Sequence, residues 1–161
     1  MSSESLQSLI ARHQASPHAL VQILREAQTL QGWLPRESLV EIAGALGLGL
    51  AHVQGVAGFY RFLHTRPVGT YRVLFSNNIT DRMLGNEALM RDLCERLGVT
   101  RGQVRADGRV SIELASCTGL CDQGPALLVN HHQIVTRLNP GRIEHIAALI
   151  EAQVPPAQWP P

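Results

Sequence analysis

Cys117 and Cys121 form a C-x3-C pair in the run C-T-G-L-C-D-Q-G-P, directly after an alternating apolar stretch. Two thiolates on one glycine-containing loop are half of a metal or cluster site, and the backbone amides of such a loop can turn toward sulfur. The spacing alone leaves two other uses open, a pair of redox-silent thiols or a dithiol–disulfide couple. The usual redox arrangement is C-x-x-C at a helix start. Here three residues intervene, and Pro125 leads into a strand. The one other cysteine, Cys94, falls in R-D-L-C-E-R-L at helical spacing with Met90 and Leu97, and reads as a packed core thiol.

Other chemistries are excluded by what the chain lacks. The seven histidines show no H-x-x-x-H or H-E-x-x-H pattern, and the adjacent His131 and His132 read as an exposed turn, so a zinc site is not expected. There is no dinucleotide fingerprint, no phosphate-binding loop and no nucleophile elbow. Three cysteines, an odd number, do not make a disulfide framework, and free thiols fit a reducing cytoplasm. No apolar stretch approaches the ~18 residues of a membrane span, and Met1–Gln7 lacks the basic and apolar regions of a secretory signal.

The 161 residues carry a formal net charge of +1, and all 14 basic residues are arginine. Nine of them (Arg61, Arg66, Arg72, Arg82, Arg91, Arg96, Arg101, Arg105, Arg109) lie between positions 61 and 109, where only five acids occur. This is a solvated basic surface or a docking face for an acidic protein partner. Nucleic acid is not expected, because there is no basic tail and few aromatics interleave with the arginines.

The elements that must position the cysteines follow from periodicity. Ser16 and Pro17 read as N-cap and first residue of a helix whose face is Leu20, Ile23, Leu24 and Ala27. Pro35 opens a second helix with Leu39, Ile42, Ala43 and Leu46 on one face, stopped at Gly47. A third covers residues 51–57. After Pro67 the pattern changes. Tyr71, Val73 and Phe75 alternate as a strand, residues 86–97 form a helix ended by Gly98, and Val110, Ile112 and Leu114 make a second strand that runs into the cysteine loop. Strands at 126–129 and 134–136 and a helix capped by Asn139 follow. Residues 76–81 read as a polar turn. The expected organisation is a helical bundle over 1–66, a compact α+β or α/β thioredoxin-like domain over 67–152, and a Pro-rich linker or docking tail over 153–161, which holds four prolines in its last eight residues.

This order, with G-W-L-P at 32–35 and V-Q-G-V-A-G-F-Y at 53–60, resembles the thioredoxin-like [2Fe-2S] ferredoxin family, to which the 24-kDa subunit of respiratory complex I belongs. C-D-Q-G-P-A-L-L at 121–128 and T-R-L-N-P-G-R-I at 136–143 are similar to the N-terminal domain of the flavoprotein subunit in NAD-reducing soluble hydrogenases. The resemblance implies four cluster ligands in two pairs. The second pair is present as Cys117 and Cys121. The first, counted back from Gly85, falls on Ser76 and Asp81, so its spacing survives without its sulfurs. Oxygen ligands are harder than thiolate and match an iron–sulfide core poorly.

Two functions follow from the resemblance, and a third from the thiol pair itself. The first is an accessory domain of an NAD(H)-dependent diaphorase with a degenerate cluster site, in which FMN and NAD belong to a partner flavoprotein domain or subunit and other iron–sulfur and hydrogenase subunits complete the complex. The second is an electron-transfer domain in which Cys117, Cys121, Ser76 and Asp81 hold an atypical [2Fe-2S] cluster near FMN. The third is a thiol oxidoreductase using Cys117 and Cys121.

Overall fold

The computed structural model describes residues 5–159. The signal-peptide reading of the first four residues and the last two prolines of the tail lie outside them. The chain separates into two compact units, one ending at Pro67 and one beginning at Val68.

The first unit is built of four helices: α1 (Leu6–Arg12), α2 (Leu20–Gln31), α3 (Arg36–Leu46) and α4 (Leu50–Phe59). Ser5 caps α1 in a reciprocal box with Ser8. The expected faces are all buried: Leu20, Ile23, Leu24 and Ala27 on α2, and Leu39, Ile42, Ala43 and Leu46 on α3. They join Leu9, Ile10, Leu34, Val53, Ala57 and Leu63 in one core. Burial of each large side chain contributes about 1.5–3 kcal/mol. The start of α2 differs from expectation. Pro17–Ala19 form a single tighter 3-10 turn, and the Ser16 side chain makes no capping bond. The Ala19 N–H bonds back to Ser16 O at 3.0 Å, so α-helical geometry begins only at Leu20. Buried Gln28 is satisfied at both ends: its Nε2 donates to Phe62 O (2.8 Å) and its Oε1 accepts from His64 N–H (2.6 Å). The segment after α4 is thereby fastened to α2.

The second unit is a four-stranded mixed sheet with helices. Its elements are β1 (Tyr71–Ser76), α5 (Ile79–Met83), α6 (Asn86–Leu97), β2 (Val110–Ala115), β3 (Leu127–Val129), β4 (Gln133–Val135) and α7 (Pro140–Glu151). Strand order is β2-β1-β3-β4. β1 and β2 are parallel, in register from Tyr71 opposite Val110 to Ser76 opposite Ala115. A parallel pair needs a long crossover, which α6 supplies. The other pairings are antiparallel. β3 and β4 form a hairpin whose turn places Asn130 (φ 52°) and His131 (φ 63°) in the left-handed region, as a twisted hairpin demands. The side chains of β1, β2, α6 and α7 share one core that includes Val73, Phe75, Leu93, Ile112, Ile143 and Ile150. Gly69 lies so close to β2 that a Cβ there would sit 2.4 Å from the carbonyl carbon of Val110.

Three findings depart from the sequence reading. Residues 76–81, read as a turn, hold the cap and first turn of the short helix α5, which runs on to Met83. The residues read as a linker or docking tail fold back as far as Trp159, which is 6% exposed and stacks on Tyr71 at a centroid distance of 6.1 Å. Both rings also donate to Val154 O, Tyr71 through its hydroxyl (3.0 Å) and Trp159 through Nε1 (2.8 Å). Part of the arginine excess is consumed internally. Arg105 pairs with Asp107 and Glu151, Arg109 with the same two acids, and Arg96 with Asp92.

Two outcomes are expected. Trp159→Ala removes a buried ring and its hydrogen bond, and should lower stability by about 3 kcal/mol in chemical denaturation. The acids around Arg105 give a pH dependence. Hydrogen bonds from Arg105 hold Asp107 down to about 2, against an ordinary 3.8, and lower Glu151 from 4.5. A carboxyl depressed in the folded state stabilises above its unfolded value, and that contribution is lost as pH falls through the folded value. The urea midpoint should therefore decline from about pH 4.5 toward pH 2, and Arg105→Ala should flatten that decline.

Candidate metal centre

β1 ends at Ser76 and β2 at Ala115. Because the two strands are parallel and in register, the loops that leave them emerge at the same edge of the sheet. This places the Ser76–Asp81 segment beside the Cys117–Cys121 loop, as the spacing argument requires.

The first segment is held by a side-chain cap reinforced by a second, side-chain bond. Asn78 is the N-cap of α5: its Oδ1 accepts the Asp81 N–H at 3.0 Å, and its Nδ2 donates to Asp81 Oδ2. Asp81 Oδ1 accepts the buried Ala126 N–H at 3.2 Å. Asp81 is 0% exposed and Ser76 1%. A Cβ on Gly124 would come within 2.6 Å of Asp81 Oδ1, so the position before Pro125 has no room for a side chain beside the carboxylate. Asn86 adds a second tie, its Nδ2 donating to Ser76 O (2.6 Å) and to Ala126 O (3.3 Å).

The cysteine loop is exposed. Gly119 adopts φ 80°, which turns its N–H onto Cys117 Sγ at 3.3 Å. Cys117 Sγ and Cys121 Sγ are 3.4 Å apart. The two thiols differ in acidity. Cys117 is lowered from its ordinary value, first by the Gly119 N–H and then by the hydrogen bond with Cys121. Cys121 is raised, chiefly because it gives its hydrogen to Cys117. Thr118 Oγ1 is buried without a hydrogen-bond partner among the described side chains. Cys94 lies on α6, half-buried against the core of the second unit, and burial raises its thiol.

One atom reaches all four expected positions. Asn78 Nδ2 contacts Asp81 Oδ2, lies 3.1 Å from Ser76 Oγ, 3.4 Å from Cys121 Sγ and 3.8 Å from Cys117 Sγ. The structure thus gathers Ser76, Asp81, Cys117 and Cys121, but around an amide. The donor set does not fit a [2Fe-2S] cluster. Both Asp81 oxygens are engaged by N–H donors inside the fold, and the Ser76 hydroxyl is buried against Asn78. Among the described residues no group of three or more His, Cys, Asp and Glu side chains is arranged to hold a metal ion.

Sequence reasoning missed Asn78. The signal was present: Asn78-Ile79-Thr80-Asp81 has the spacing of a capping box, a cap residue with an acid three positions on. A polar run after a strand hides it, because turns and caps draw on the same residue types.

Known proteins carry the same architecture. The thioredoxin-like [2Fe-2S] ferredoxin family matches residues 6–151. NADH-quinone oxidoreductase subunit 2 of Thermus thermophilus is 32% identical over 134 residues, covering 83% of this chain and 74% of that subunit. The alpha subunit of the NAD-reducing hydrogenase HoxS of Cupriavidus necator is 28% identical over 151 residues, covering 94% of this chain and 25% of the subunit. A crystal structure of an NAD+-reducing [NiFe]-hydrogenase in the air-oxidized state superposes with a TM-score of 0.78 at 33% identity, over 88% of this chain. The chain spans about a quarter of that hydrogenase chain, 24% of its length. A helical unit followed by a mixed sheet with a C-x3-C loop at its edge defines a ferredoxin-type domain of thioredoxin-like fold. The chain belongs to the thioredoxin-like [2Fe-2S] ferredoxin family.

The Asp81 carboxylate is the most consequential side chain at this edge. Asp81→Ala leaves the buried Ala126 N–H without an acceptor and removes the charged acceptor of the Asn78 amide. It should lower stability by at least about 2 kcal/mol, read as a shift in denaturant midpoint with unchanged slope.

Proposed function

We propose that this chain is an accessory domain of an NAD(H)-dependent diaphorase module, with a degenerate cluster site. It works by packing beside a flavoprotein domain or subunit that holds FMN and NAD, within an assembly that includes other iron–sulfur and hydrogenase or dehydrogenase subunits. It transfers no electrons itself. The observation that carries this reading is the burial and full engagement of Asp81 at one of the two positions where the family places cysteines. A side chain already bound by two N–H donors is part of the fold, and recruiting it to iron would displace the Asn78 amide nitrogen and the Ala126 N–H at the start of β3. Kinship with the NADH-quinone oxidoreductase and NAD-reducing hydrogenase subunits supports the wider setting. No helix among the described residues is long and apolar enough to cross a membrane. We assign the domain to the cytoplasm.

A second reading, an electron carrier with an atypical cluster, draws on two observations. All four positions lie within reach of one atom, and the Thr118 hydroxyl in the cysteine loop is buried without a partner.

Anaerobic purification with iron and acid-labile sulfide analysis separates the two. The accessory reading expects colourless, folded, iron-free protein with no EPR signal after dithionite. About two irons and two sulfides per chain, with an S = 1/2 signal on reduction, would establish the carrier instead.

A further inference from the structure

Asn78 occupies a place that its role as a helix cap does not explain. A cap needs only the side-chain oxygen, which here takes the Asp81 N–H at 3.0 Å. That bond fixes which end of the amide faces which way, and it aims the nitrogen inward. The nitrogen then meets Asp81 Oδ2, Ser76 Oγ, Cys121 Sγ and Cys117 Sγ together. Two N–H hydrogens cannot make four full bonds. The carboxylate takes the strongest, and the serine oxygen and Cys121 sulfur share the remainder. Cys117, at 3.8 Å, is left to the Gly119 N–H.

We propose that Asn78 is a resident plug. Its amide replaces a metal cluster as the group that joins the Ser76–Asp81 segment to the Cys117–Cys121 loop, and it excludes metal from the thiol pair. This rests on the accessory-domain reading and adds to it that the site is closed by a side chain, beyond having lost two thiols. The chemistry is consistent at each partner. An amide N–H₂ is a donor only, and it faces a carboxylate, a hydroxyl oxygen and two sulfurs, all of which accept. A metal would need the same acceptors turned toward itself. Nitrogen and metal therefore compete for one position.

The test compares the full chain carrying Ser76→Cys and Asp81→Cys with the same chain carrying Asn78→Ser as well. Serine keeps the cap while withdrawing the amide nitrogen. In the double variant the Asn78 Oδ1 cap bond to the backbone of residue 81 remains, so the nitrogen stays in place. After anaerobic reconstitution with iron and sulfide, the triple variant should hold about two irons and two sulfides per chain. The double variant should hold several-fold less. Equal loading of the two, whether high or negligible, overturns the proposal.

Asn78→Ser alone, in the native background, supplies a second measurement that does not depend on the four-cysteine variants folding. Cadmium is titrated into reduced protein and followed by thiolate charge-transfer absorption. The variant should bind at least about five-fold more tightly than the native chain, the factor that corresponds to losing one competing hydrogen bond. Equal affinities overturn the plug. The iron content of the native chain is read separately. Iron-free native protein with equally loading variants refutes only the plug, whereas a native chain that already holds iron refutes the accessory reading.

Discussion

A buried carboxylate organises one edge of the second unit. Asp81 has no access to water, so its oxygens must be met inside the protein. Ala126 N–H meets one and Asn78 Nδ2 the other. Each partner belongs to a different stretch of chain. Asn78 leads out of β1 into α5, and Ala126 leads into β3. Satisfying one side chain therefore sets where α5 begins and how the segment after Gly124 approaches the sheet. Gly124 is matched to this arrangement, since any side chain there would collide with Asp81 Oδ1. Removing the carboxylate would leave the Ala126 N–H buried and unpaired, a larger loss than the bond itself contributes.

That edge lies beside the cysteines because of how β1 and β2 pair. Antiparallel neighbours would send the loops after Ser76 and Ala115 to opposite ends of the sheet. Parallel pairing in register sends both to the same end. The close approach of Gly69 to Val110 and Ser111, and the Gly69 N–H bonded to Ser111 Oγ at 3.1 Å, fasten the opposite end of this strand pair. The site is thus a consequence of topology first and of side-chain chemistry second.

The strands and most helices could be read from periodicity, because Tyr71, Val73, Phe75 and Val110, Ile112, Leu114 alternate and the faces of α2, α3 and α6 repeat at helical spacing. Spacing also located Ser76 and Asp81 opposite the C-x3-C loop. What periodicity could not reveal was the state of those two residues. A serine and an aspartate after a strand read as solvated turn residues, and their burial depends on Ala126 and Gly124, more than forty positions away. The same limit applies to Trp159. Four prolines in eight residues suggest an extended tail, and nothing local announces that Tyr71 offers a ring to stack on. The acids that pair with Arg105 and Arg109 include Glu151, on α7 and outside the 61–109 stretch, so local counting could not find it.

The surviving thiol pair carries less information about iron than its spacing suggests. Gly119, free to take φ 80°, brings its N–H to Cys117 Sγ, and that turn places Cys121 against Cys117. Every contact in the arrangement is a hydrogen bond of ordinary length for sulfur. The loop's shape follows from the Gly119 backbone conformation and these bonds. The discriminating residues lie on the other side of the site. Asp81 takes the Asn78 amide nitrogen and the Ala126 N–H, so a metal at the carboxylate would have to displace that nitrogen and the tie to the start of β3.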